Sequence, residues 1–269
     1  MPASEIPSYE TLKGMLFSLF IVAARVSPLF ILMPFMNRAL VPRMVRFAMS
    51  AGIGLVLIPV FPAGTDAWPS GAPLLALVFK EAVIGVLLGF VIAIPFWAFE
   101  AIGFVIDNQR GASMAATLNP MTGHDSSPLG IAFNFAFITF FLLGGGIHLF
   151  LGLIYDSYRL WSPLEFWPSI GPEAAALLMV QLNRLVMLAL LLAAPVMIAM
   201  LMSELGLALV SRFAPQLQVF FLAMPIKSAL ALFVLVIYSS TLFDYSLAPI
   251  RELATWVDRL DPLLRLGGR

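Results

Sequence analysis

The chain carries two histidines, His124 and His148, and no cysteine. Imidazole is the side chain best suited to moving protons near neutral pH or to holding a transition metal. Either task needs company: a nucleophile and an orienting group for catalysis, or further ligands at fixed spacing for a metal. Neither histidine has it. His124 lies in a Gly/Ser/Pro-rich stretch, and His148 follows Gly144-Gly145-Gly146 inside an apolar run, where an interhelical hydrogen bond is its expected role. No HExxH, GxSxG or Walker sequence occurs, and the mechanisms those motifs carry depend on their spacing. The residues therefore predict no enzyme, no metal and no cofactor.

Charges placed inside apolar segments are more informative: Arg25, Lys80, Glu81, Glu100, Arg184 and Lys227. A charge at the centre of a membrane helix costs roughly 2.5–3.5 kcal/mol on insertion scales, so it must pair, line a wet path or reach the interface. Lys80 and Glu81 stand near a predicted helix start and could reach the interface. Arg25, Glu100, Arg184 and Lys227 are expected as buried or subunit-interface charges in interhelical or intersubunit ion pairs, with a wet path as the alternative. Gly85 and Gly89, four apart in GVLLG, mark a helix face where another helix can come close.

A third candidate is the soft stretch DNQRGASMAATLNPMTGHDSSPLG, residues 107–130, between two very apolar segments. Connections longer than about 12–15 residues without their own structure are usually functional or disordered. Gly111, Ala112, Ser113, Ala115 and Ala116 are small, while Met114, Leu118 and Met121 are apolar. A solvated connector is the plainer alternative.

The elements that would position these residues are helices in a membrane. The chain is 61% hydrophobic and 11% charged, far from the roughly 25% charge of soluble domains. Six apolar segments are predicted as helices: Met15–Met36, Phe47–Phe61, Leu74–Ile106, Ile131–Ile154, Ala174–Met202 and Val219–Phe243. Backbone groups in lipid must be satisfied internally, which helices accomplish. The expected class is an all-α membrane protein, a single helical domain over 1–269, its helices arranged as hairpins. The third helix is too long for one straight crossing and is predicted to kink at Pro95. The first apolar run lacks the positive start of a secretory signal and is read as a retained span.

Arg38, Arg43 and Arg46 follow the first segment, whereas 62–73 holds no Lys or Arg. The positive-inside rule then puts the first loop and the loop Ser203–Gln218 in the cytoplasm, with both termini outside. Residues 244–269 show apolar positions at helical spacing between charges, which predicts an amphipathic tail lying on the interface or docked on a partner. A net charge of zero offers no electrostatic footprint for nucleic acid. A small-solute transporter would need polar groups near a broken helix, yet the sequence around Pro195, LLLAAPVMIAMLM, offers none. That reading and a purely structural scaffold remain the alternatives.

Three ordered stretches resemble the FliR/SctT (YscT/SpaR/HrcT) family: RVSPLFILMPFMNRALVPRMVRFAMSAGIGL, then IDNQRGASMAATLNPMTGHDSSPLG with GGGIHLFLGLIYDSYRLWSPLEFWP, then SRFAPQLQVFFLAMPIKSALAL. The form QRGAS…SPLG is closer to the injectisome branch than to the flagellar branch. The resemblance implies an export-apparatus subunit of a type III secretion system in the bacterial inner membrane, partly above the membrane plane once assembled. It implies partners: SctR- and SctS-type export gate subunits, an SctU-type switch protein and, transiently, unfolded secreted proteins. It also implies that residues 107–130 plug the closed pore, through Asn108, Gln109, Arg110, Gly111, Ser113, Met114, Leu118 and Met121. Residues 174–243 would form an SctS-like hairpin, with Arg212, Pro215 and Gln216 at its cytoplasmic tip.

Overall fold

The computed structural model describes residues 9–36, 40–61, 69–112, 127–164, 172–214 and 219–254. Among these, the regular structure is helical throughout: α1 (Tyr9–Leu32), α2 (Arg43–Leu57), α3 (Ala72–Arg110), α4 (Pro128–Leu143), α5 (Gly146–Leu160), α6 (Pro172–Phe213) and α7 (Val219–Ala254), with short 3-10 turns at Pro34–Met36 and Ile58–Val60. The all-α class stands. Among the described residues, four stretches are long and apolar enough to cross a membrane: Tyr9–Leu32, Ala72–Arg110, Met179–Phe213 and Leu222–Tyr245. The broken pair α4–α5 makes a fifth if it is taken as one span.

Two of the six predicted segments differ from a single full crossing. The second, α2, has 15 residues, a rise of about 22 Å, short of the roughly 30 Å of a hydrocarbon core. The fourth is two helices. Gly145 adopts φ +78°, a left-handed conformation that glycine reaches at no steric cost. The amides of Gly144 and Gly145 close on the carbonyls of Phe140 and Leu142 there. His148 consequently begins a new helix and is exposed on it, not held in an interhelical hydrogen bond.

Helix ends also differ from the hydropathy boundaries. α3 runs on through Asp107, Asn108, Gln109 and Arg110, so the connection starts at Gly111. α6 continues through SELGLALVSRF to Phe213, and α7 continues through residues 244–254 as one 36-residue helix. Residues 244–254 of the predicted amphipathic tail thus continue α7, and residues 255–269 lie outside the described ones. Pro95 lies inside α3 without ending it.

The chain gathers into two compact units. The first comprises Met1–Ala93, Ile147–Leu177 and Ala254–Arg269, and the second Ile94–Gly146 and Leu178–Leu253. The first is built on α1, whose Ile21, Val22, Val26, Leu29 and Phe30 are buried with Ile84 of α3 and Phe150 of α5. Phe150 stacks on Phe30 at 6.0 Å and meets Phe35 edge-on at 5.4 Å. In the second, Phe96 and Phe99 of α3 pack on Phe137 at 4.8 and 4.5 Å, and Phe96 meets Phe141 at 5.1 Å. Each such pair adds about 0.5–1.5 kcal/mol beyond the area it buries.

Candidate functional site

In the first unit, α3 and α1 cross where α3 has no side chains. A Cβ on Gly85 would run into the carbonyl oxygen of Arg25, and one on Gly89 would lie 3.1 Å from the Cα of Leu29. Glu81, one turn before Gly85, is thereby brought within reach of the Arg25 side chain. Its carboxylate accepts from Arg25 Nε at 2.6 Å and Nη2 at 3.0 Å, a two-point grip, and Lys80 Nζ lies 2.9 Å from Glu81 Oε1. Arg25 also donates to Ser157 Oγ and to the Trp161 carbonyl, each at 3.0 Å. Its guanidinium lies 3.8 Å over the Tyr158 ring. Lys80 donates to the carbonyls of Pro163 at 2.8 Å and Ser162 at 3.2 Å. Among the described residues, two cations and one carboxylate are buried together, and carbonyls, a hydroxyl and a ring face also receive the cations. This joint ties α1, α3 and the end of α5 into one body.

In the second unit, the end of α3 meets the start of α4. A Cβ on Gly103 would collide with the backbone of Leu129 and Gly130. Glu100 accepts from Asn134 Nδ2 at 2.7 Å. At the end of α3, Gly111 takes φ +85°, its amide bonds Asn108 O and the amide of Ala112 reaches back to Asp107 O. This pair of bonds is a Schellman ending. Asp107 then bridges to the next helix: Oδ2 accepts from Ser127 Oγ at 2.6 Å and from the Leu129 amide at 3.0 Å, while Oδ1 lies 2.7 Å from Arg110 Nε. Ser127 in turn caps α4 by accepting from the Gly130 amide at 2.8 Å. The first turn of α4 is fully accounted for: Pro128 has no N–H, Leu129 goes to Asp107, Gly130 to the Ser127 hydroxyl and Ile131 to the Ser127 carbonyl. A negative charge at a helix start and a positive one at a helix end both suit the helix dipoles.

The α6–α7 hairpin, also in the second unit, is held by Lys227 Nζ against Glu204 Oε2 at 2.8 Å. Among the described residues, the arrangement thus consists of buried joints and clamped helix ends.

Comparison with known proteins decides what such an arrangement belongs to. The family described as "Bacterial export proteins, family 1" matches residues 16–253. The chain belongs to this export family. "Yop proteins translocation protein T" of Yersinia pestis is 38% identical over 218 residues, covering 81% of the chain and 84% of that protein. "Surface presentation of antigens protein SpaR" of Salmonella typhimurium is 35% identical over 220 residues, 81% of each. "Flagellar biosynthetic protein FliR" of Bacillus subtilis is 30% identical over 227 residues, 83% of the chain and 86% of that protein. Within the export family the chain stands on the injectisome side, as a type III secretion export-apparatus protein.

The export-family frame sorts the residues singled out in the sequence. Arg25 is fully buried in its ion cluster, and Lys80 and Glu81 are buried with it instead of reaching an interface. α3 begins at Ala72, which sets both two turns deep. Glu100 is bonded to Asn134, Arg184 is half-buried on α6, and Lys227 pairs within its own hairpin. Asn108, Gln109 and Arg110 belong to the last turn of α3 and Gly111 to its ending, so none of the first three is loop. Ser113, Met114, Leu118 and Met121 lie outside the described residues. Arg212 is exposed on the last turn of α6, while Pro215 and Gln216 are outside them as well.

Other residues of these joints escaped the sequence reading, among them Asp107, Ser127, Asn134, Ser157, Tyr158 and Glu204. Ser127-Pro128 did carry a signal, since a serine before proline marks a helix start. Asp107 carried none, because nothing in its neighbours says which helix its carboxylate will cap.

Proposed function

We propose that the chain is a non-enzymatic subunit of the type III secretion export gate in the bacterial inner membrane. There it packs with SctR- and SctS-type subunits, contacts an SctU-type switch protein and helps form the conduit for unfolded protein substrates. The observation that carries this is the α6–α7 hairpin. In the most apolar windows of its two helices, only 28% and 6% of residues are buried within the chain. A solute carrier acting alone must enclose its site with its own helices, and helices this bare suit a subunit whose neighbours complete it. The family and the named relatives point the same way.

The connection from Gly111 to Ser126 closes the conduit between transport events, as small and thioether side chains can fill a narrow lumen without locking into it. The clamped ends of α3 and α4 support this, since a stopper must be held where it enters and leaves. The hairpin tip with exposed Arg212 faces the cytoplasm. Deletion of Gly111–Leu118 tests the reading in the co-purified complex reconstituted into vesicles. Assembly with the SctR- and SctS-type subunits is expected to persist while ions leak. A tight complex without those residues removes the plug, and a chain that never co-purifies with such subunits removes the gate.

A further inference from the structure

We propose that the α1–α2 hairpin holds an anionic phospholipid: the arginines at the start of α2 take the headgroup phosphate, and the outer face of α2 takes the acyl chains. This goes beyond the export-gate reading and does not rest on it. α2 packs on α1 through Ser50, Ile53, Gly54 and Leu57, which are buried. A Cβ on Gly54 would lie 2.8 Å from Leu19 Cδ2 and 3.6 Å from Val22 Cβ, while Arg46 Nη1 meets the Met36 carbonyl at 3.5 Å. α2 thus returns along α1. Its first turn stands beside the end of α1, the end that the positive-inside rule assigns to the cytoplasm.

Three observations select the occupant. Arg43 is exposed and Arg46 half-buried. Among the described residues neither pairs with a carboxylate, and Arg46 Nε is buried without a hydrogen-bond partner. Guanidinium groups suit phosphate oxygens in both charge and shape. Second, the start of α2 adds to this charge: no side chain caps it, and its first turn holds no acidic residue, so its amides favour an anion. Third, beyond the arginines the outer face, with Met44, Ala48, Gly52, Leu55 and Val56, is exposed and carries no polar side chain. From Met44 to Val56 it rises about 18 Å, close to the roughly 15 Å of hydrocarbon in one leaflet. Cations at one end of an apolar strip one leaflet deep match a phospholipid, whose charge also sits at one end. A neighbouring helix would instead fill the space at Gly52, where nothing lies within 4 Å.

The test uses the full chain in nanodiscs, and the absence of native cysteine allows a single fluorophore on Ala48→Cys, in the exposed strip. Quenching is compared for acyl-brominated phosphatidylglycerol and acyl-brominated phosphatidylcholine at equal mole fraction. Phosphatidylglycerol is expected to be enriched at the strip by roughly fivefold for each arginine that engages it. Arg43→Gln and Arg46→Gln should each remove about that factor, and Arg43→Lys should keep most of it. Lys13→Gln, exposed near the start of α1 at the other end of the hairpin, should leave the preference unchanged. If Arg46→Gln does not fold, the exposed Arg43 still decides the outcome.

Equal quenching by the two lipids overturns the proposal, and so does a preference that survives both glutamine variants. Loss of the preference on adding millimolar inorganic phosphate at constant ionic strength would give the arginines to a soluble anion and overturn the lipid. In the co-purified complex the quenching is expected to persist. Its absence there would give the strip to a subunit and overturn the proposal while leaving the gate reading in place.

Discussion

At the scale of single residues, two sites depend on which atom donates and which accepts. Glu81 is the carboxylate that Arg25 and Lys80 share, so Glu81→Gln removes the charge that both buried cations pair with. Breaking a buried pair in this way costs about 3–5 kcal/mol. A large drop in the detergent melting temperature is expected; a shift within error would show that the carbonyls around the cations hold them alone. Ser127 sits at the other site. Aspartate is as good a helix cap as serine in general, yet here the residue must also donate to Asp107, which a carboxylate cannot do. Ser127→Asp is expected to destabilise the second unit by about 1–3 kcal/mol, read by melting, whereas Ser127→Thr should be mild. The sequence announced Arg25, Glu100 and Lys227 as charges too costly to leave alone, and said nothing of who would answer them. Pairing is a fact of three dimensions: Glu81 lies 56 residues from Arg25 and Ser157 lies 132. Lys80 and Glu81 looked superficial because the apolar run starts at Leu74, while the helix itself starts at Ala72.

At the scale of elements, glycine separates crossings from open faces. Gly85→Ala would press a methyl group against the backbone oxygen of Arg25, which cannot rotate away, and overpacking of this kind costs about 1–3 kcal/mol. Gly52 in α2 meets nothing within 4 Å, so Gly52→Ala should stabilise its helix by roughly 0.5–1 kcal/mol. Opposite signs for one chemical change are the expected result in a melting comparison; equal signs would mean that α1 and α3 do not cross at Gly85. The existence of the helices was legible, because lipid and buried cores alike demand apolar runs with satisfied backbones. Their ends were not. IDNQR and SELGLALVSRF are polar enough to read as loop, yet they contain good helix formers, and a helix stops where its last carbonyls find partners. Gly111 supplies that stop for α3, and Gly145 supplies it for α4. The stretch GGG was visible as a weak point, but whether it bends or ends a helix is settled by packing against the aromatic ring of Phe141, which a Cβ on Gly146 would meet.

For the molecule as a whole, composition states the surroundings and leaves the neighbours open. An apolar helix reads the same whether lipid or another subunit covers it, which is why the sequence could count greasy segments without telling what they touch. The two covers respond differently to truncation. Phe233, Val236 and Ile237 of α7 lie at helical spacing and are 63, 75 and 66% exposed in the chain alone. Against lipid, replacing them with alanine trades one hydrocarbon contact for another, at little cost to association. Against a subunit the same change empties packed contacts at the interface, where an aromatic anchor often accounts for more than 1–2 kcal/mol. The triple alanine variant is therefore expected to leave the isolated chain folded, with its Lys227–Glu204 pair intact. Its recovery with SctR- and SctS-type subunits should fall by roughly tenfold. Full recovery would assign this face to lipid, and the neighbours that complete the hairpin would then have to cover α6 instead.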